Sequence, residues 1–170
     1  MSLTMYKASV PVFVRELGIL SSLLKKGEDF AKEKGFSPDA LVQERLAEDM
    51  LPLAGQIQRA SDACKLAVER LTGVAAPKFD DDETSYAQLY QRIEKTLAYL
   101  NSVPADAFSE AGVREVKLNY GEFQPVFTGE SYLLTFAIPN FFFHVVTAYD
   151  ILRHKGVPIG KRDYLGPYSA

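Results

Sequence analysis

The chain has 170 residues, 47% of them hydrophobic and 24% charged, so one domain with a full apolar interior is expected. Its 19 basic and 22 acidic side chains leave a formal net charge of -3, and its longest basic cluster, Lys25-Lys26, is closely followed by Glu28 and Asp29. That balance excludes the basic stripe a nucleic-acid binder needs, and the single cysteine, Cys64, excludes an internal disulfide and fits a reducing cytoplasm.

Met1-Ser2-Leu3 reads equally as native chain or as an added leader ahead of a start near Met5. The opening residues lack the charged start and apolar run of a secretion signal, and no uninterrupted apolar segment approaches membrane-spanning length. Ser9 is expected to cap the first helix, with Pro11 tolerated in its first turn. Val10, Phe13, Val14, Leu17, Leu20 and Leu24 form its apolar stripe, and Gly35 ends it after Lys34. Ser37 then caps a short helical piece opened by Pro38.

A second helix is expected from about Asp49 to Thr72, because Leu53, Ile57, Ala60, Cys64, Ala67, Val68 and Leu71 recur on one face. Asp49 and Gln56 share that inward face and need partners there, and Cys64 between alanines reads as a buried structural thiol. Gly73 to Glu83 is a loop. Its acids Asp80 to Glu83 lack the alternating spacing of a calcium loop and stand just before a helix, where negative charge is favourable. That third helix is expected from about Thr84 to Ser102, with Leu89, Ile93, Leu97 and Leu100 inward.

From Glu115 to Phe127 the pattern alternates, which predicts a β-hairpin turning near Tyr120-Gly121-Glu122. Thr128 caps the last long helix, Gly129 to Lys155, and Pro139 inside it predicts a kink. The tail from Val157 to Ala170 reads as irregular. Four long helices, each with one apolar stripe, are satisfied by an all-α, up-down-type four-helix bundle spanning residues 1–170 as one domain, with the hairpin before its last helix.

The stretch Pro139 to Gly156 carries both histidines. Asn140 and His144 are four apart, so on a helix they share a face and suit one small ligand or ion. Polar groups converging in an apolar bundle mark a site, so Asp49 and His144 are candidates for an acid–base pair, with Gln56 beside them. His144 reads alternatively as a core histidine bonded to a carboxylate or a loop carbonyl, and Asn140 as a partner for the carbonyl freed at Pro139. Tyr149 is a pocket-edge phenol or half-buried packing, and Lys161 either fixes a turn or closes over the pocket toward an anionic substrate.

Met5-Tyr6, the run SVPVF, RLAEDMLPL at residues 45–53 and the closing NFFFHVVTAYDILRHKGVPIGKRDYLG carry a resemblance over nearly the whole chain. The chain resembles an uncharacterised bacterial family within the DinB-like (YfiT-type) four-helix bundle superfamily of proposed metal-dependent enzymes. The resemblance implies a divalent metal held by three histidines, one on the second helix and two on the fourth. Carried onto this chain, those positions fall at Asp49, Asn140 and His144, so only one histidine is kept; with two histidines in all, a three-histidine site is absent. His154, ten residues beyond His144, is rotated by roughly 80° and raised by roughly 15 Å on an ideal helix. Asn suits hard cations better than zinc or nickel. Two functions stay open: a divalent-metal or acid–base enzyme with a degenerate site, or a non-catalytic ligand-binding or homodimeric protein that has lost the metal. The expected partners are a small molecule and a second copy of the chain, covering some of Phe141, Phe142 and Phe143, with neither nucleic acid nor membrane.

Overall fold

The computed structural model describes residues 3–168, so Met1, Ser2, Ser169 and Ala170, and with them part of the Met1-Ser2-Leu3 opening and of the expected irregular tail, lie outside the described residues. Helix α1 runs Met5–Lys34, α2 Leu53–Thr72 and α3 Tyr86–Ser102. The fourth rod is composite: α4, Gly129–Tyr132, a π-helical turn, Leu133–Ala137, and α5, Ile138–His154. A short α6, Lys161–Leu165, follows, and single 3-10 turns occupy Pro38–Leu41 and Ala105–Phe108. The four-helix, hairpin-bearing architecture expected from the sequence is therefore present.

Every residue of the expected α2 stripe is buried, from Leu53 and Ile57 through Ala60, Cys64, Ala67 and Val68 to Leu71. It meets Phe13, Leu17, Leu20 and Leu24 of α1, Leu89 and Ile93 of α3, and Phe141, Val145 and Leu152 of α5 in one core. Each such large side chain contributes about 1.5–3 kcal/mol on burial. The pairing of α2 with α5 is the most extensive in the bundle, and this seam holds the site described below. Strands β1, Glu115–Lys117, and β2, Val126–Thr128, pair antiparallel with Val116 opposite Phe127, and the loop beyond them is closed by a bridge between Tyr120 and Phe123. Gly121 takes φ +67 at the turn, a left-handed value suited to glycine.

Three boundaries differ from expectation. Helix α1 starts at Met5, four residues before Ser9: Thr4 is the cap, accepting from the Lys7 N–H at 3.2 Å, while the Ser9 hydroxyl bonds back to the Met5 carbonyl at 2.7 Å. Helix α2 starts at Leu53, not Asp49, because Pro52 disfavours helical geometry at Leu51 and stands itself as the cap. The tail is not wholly irregular. In α6 the Asp163 carboxylate accepts from the Gly160 N–H at 2.7 Å and pairs with Lys26 at 2.9 Å, tying the tail to α1.

Where a kink is expected, a π-helical turn, Leu133–Ala137, stands just before Pro139. Proline has no N–H for the carbonyl of Thr135 and its ring crowds that oxygen. The wider turn accommodates this, with the Ile138 N–H bonding the Leu133 carbonyl five residues back. The whole rod, Gly129–His154, is 26 residues and by length and composition alone would suffice to cross a membrane, contrary to expectation; here it packs on α2 and α1.

The acidic loop before α3 does more than face a helix terminus. Arg92, buried on α3, pairs with Glu83 at 2.8 Å, Asp62 at 3.0 Å and Asp81 at 3.1 Å, and Gln58 donates to Glu83 at 2.8 Å. Phe79 lies beneath two cations, Lys65 at 5.0 Å and Arg92 at 5.2 Å from its ring centre. These contacts pin the loop against α2 and α3.

Candidate functional site

A groove of about 300 Å³ lies between α2 and the fourth rod. From α2 it takes Arg59, Asp62, Ala63, Leu66 and Arg70; Arg59, Ala63, Leu66 and Arg70 fall at i, i+4, i+7 and i+11, one helical stripe. From the fourth rod it takes Tyr132, Phe136, Ala137, Asn140 and His144, and from the hairpin Tyr120. The aromatic wall is continuous: Phe136 stacks on Tyr132 at 5.9 Å and on Tyr120 at 6.3 Å between ring centres. The π-helical turn contains Phe136 and Ala137, so the local widening of the rod sits at the groove.

His144 is half-buried, and its partner is Gln56 of α2: imidazole Nδ1 and amide Oε1 are 2.8 Å apart. The Gln56 Nε2 donates to the Leu51 carbonyl at 2.9 Å, which fixes Oε1 as the end facing the ring. An amide oxygen only accepts, so Nδ1 carries the hydrogen and donates it. Nε2 is left as the unprotonated nitrogen, with no hydrogen bond among the described residues, in a side chain that lines the groove. Burial, and then the Arg59 guanidinium, push the imidazole down to about 4, so it is neutral at pH 7.

The predicted residues come together only in part. Asn140 and His144 share the groove. Gln56 does reach His144, but Asp49 does not meet it: once Pro52 sets the start of α2, Asp49 falls in an exposed turn outside the helix. The expected aspartate–histidine pair is thus a glutamine–histidine pair. Tyr149 is half-buried against Tyr164 at 5.9 Å between ring centres, and Lys161 is exposed at the start of α6; neither lines the groove. Of the three phenylalanines, Phe141 is buried, Phe142 half-buried and Phe143 exposed.

Sequence reasoning missed Arg59, Asp62 and Arg70, along with Tyr120, Tyr132 and Phe136. The signal was present: Gln56, Arg59, Ala63, Leu66 and Arg70 run along α2 beside the core stripe, with polar ends and a small middle. Attention to the purely apolar stripe hid it.

The groove residues do not fit the three-ligand divalent metal implied by the resemblance. Among the described residues no three His, Cys, Asp or Glu side chains form a cluster able to hold an ion. Arg59 brings positive charge beside His144, and Asp62 is shared among Arg59 at 3.4 Å, Lys65 at 2.9 Å and Arg92 at 3.0 Å. A cation placed by Asn140 and His144 would meet Arg59 and no free carboxylate.

Comparison with known proteins agrees with the fold. The family described as a domain of unknown function, DUF1993, matches residues 5–165. A solved structure, a DinB family member protein from Shewanella denitrificans at 1.83 Å resolution, superposes with a TM-score of 0.89 at 41% sequence identity, covering 98% of this chain and 95% of that one. No curated protein is matched.

Proposed function

This chain belongs to the DUF1993 family and has a DinB-like fold, and from that premise we propose that it binds a small molecule in the groove between α2 and the fourth rod and acts on it with His144 as proton acceptor. The observation that carries this is the Gln56 contact: Gln56, held by the Leu51 carbonyl, engages Nδ1 and leaves Nε2 as the unprotonated nitrogen of a neutral ring that lines the groove. That is the arrangement of an oriented general base, since a second group fixes which nitrogen can accept a proton. The aromatic wall of Tyr120, Tyr132 and Phe136 gives a ligand an apolar surface.

Binding without chemistry is the second reading. Asp62 supports it, because its engagement by three cations leaves the groove no free carboxylate to work with His144. A fragment screen read at the His144 Cε1–H resonance tests the site itself. Fragments that shift this resonance should lose binding in Ala63→Phe, which fills the groove, provided the variant melts cooperatively as the wild type does. Fragments that bind both proteins equally would overturn the assignment.

A further inference from the structure

One cation of the groove, Arg70, has no ion-pair partner among the described residues. Arg70 is half-buried, donates to the Tyr132 hydroxyl at 2.9 Å and lies 5.7 Å from the Tyr132 ring centre, with the Tyr120 phenol also beside it. Among the described residues it meets no carboxylate. The other arginines that are buried or half-buried all do: Arg15 pairs with Glu16, Arg59 with Asp62 and Asp81, and Arg92 with Asp62, Asp81 and Glu83. Removing a guanidinium from water without an anionic partner is unfavourable, and a fold tolerates it where a ligand supplies the anion. Arginine is also the residue whose planar fork matches a carboxylate through two parallel hydrogen bonds.

The rest of the groove offers no free anion. Against Arg59 and Arg70 it contains one carboxylate, Asp62, already shared by three cations, and a neutral histidine. Arg70 and Arg59 are eleven residues apart on α2, about 16 Å along the axis, so the two cations mark opposite ends. The middle, lined by Ala63, Leu66, Phe136 and Ala137, is apolar, and the far end carries Asn140 and the open Nε2 of His144.

We propose that the groove takes a small organic carboxylate, its anion on Arg70, its flat apolar body against Phe136 and Leu66, and a proton-donating group at its other end on His144 Nε2. The inference rests on the groove reading above and adds the class of ligand.

The test uses 3-(4-hydroxyphenyl)propionate and its neutral amide, titrated into the full chain while the His144 resonance is followed, with exposed His154 as the reference in the same spectra. The acid should bind at least tenfold more tightly than the amide, weaken as salt is raised, and shift His144 but not His154. In Arg70→Gln the acid should lose at least tenfold in affinity while the amide is unchanged. The acid-to-amide preference is read on the wild type and needs no variant to fold. Equal binding of acid and amide, both shifting His144, would overturn the carboxylate assignment and leave the groove reading standing, as would undiminished acid binding in a folded Arg70→Gln. If neither compound moves His144 at millimolar concentration, the carboxylate assignment falls, and the groove reading falls with it once the fragment screen is also empty.

Discussion

At the scale of single residues, the account turns on what Gln56 does to His144. Replacing the amide by a carboxylate of nearly the same shape, Gln56→Glu, places a negative charge 2.8 Å from Nδ1 and favours the imidazolium. The expected outcome is a His144 titration moved upward by more than one pH unit from its depressed position near 4, read from the Cε1–H shift. Gln56→Leu instead leaves an unpaired Nδ1–H in a half-buried ring and should cost about 1–3 kcal/mol in chemical denaturation. The depressed value has a consequence for stability with a definite sign. The unfolded chain takes up a proton on this histidine near pH 6.5 and the folded chain only near 4, so between those values unfolding binds protons. The His144 contribution is fully present above pH 6.5, falls as the pH drops toward 4 and is lost below it. The melting temperature of the wild type should fall relative to that of His144→Phe as the medium becomes acidic across this range. A constant gap would contradict the burial of a neutral ring.

At the scale of elements, the helices were legible because each carries an apolar stripe, and the stripe of α2 is buried along its whole length. Element ends were less legible. The reading of α2 from Asp49 passed over Pro52, whose effect on Leu51 ends any helical continuation upstream, and that one misplacement removed Asp49 from the site. Asn140, His144 and Gln56 remained visible because their spacing survives the boundary error. Arg59 and Arg70 were hidden because charged residues beside a core stripe look like a solvated face until a second helix arrives opposite them. The loop before α3 yields a prediction of its own. Although burial pushes the Glu83 carboxyl up, hydrogen bonds from Arg92 and Gln58 hold it below its usual range. Arg92→Leu strips Glu83 of its buried partner and should cost about 3–5 kcal/mol, measured by denaturant titration. At the start of α4, a β-carbon on Gly129 would overlap the Ala111 carbonyl oxygen, a backbone atom that cannot swing aside. Gly129→Ala should therefore be among the few alanine substitutions costing more than about 2 kcal/mol.

At the scale of the whole molecule, a bundle built on ordinary core packing opens a seam between α2 and the fourth rod and lines it with aromatic rings, two guanidiniums and a neutral imidazole. The π-helical turn before Pro139 and the late start of α2 set by Pro52 are two departures from the expected helices that shape this seam, one supplying Phe136 and Ala137 and the other the Leu51 carbonyl that orients Gln56. The DinB-like scaffold is thus retained while the residues at its seam suit a ligand-binding groove better than a metal cage. Both functional proposals depend on a neutral His144 whose free nitrogen is Nε2. Two-bond 15N–1H correlation of the two histidines at pH 7 measures this directly. The account predicts for His144 a protonated Nδ1 near the shift of a pyrrole-type nitrogen and an Nε2 near that of a bare pyridine-type nitrogen. A protonated Nε2, or two equivalent nitrogens of an imidazolium, would contradict it.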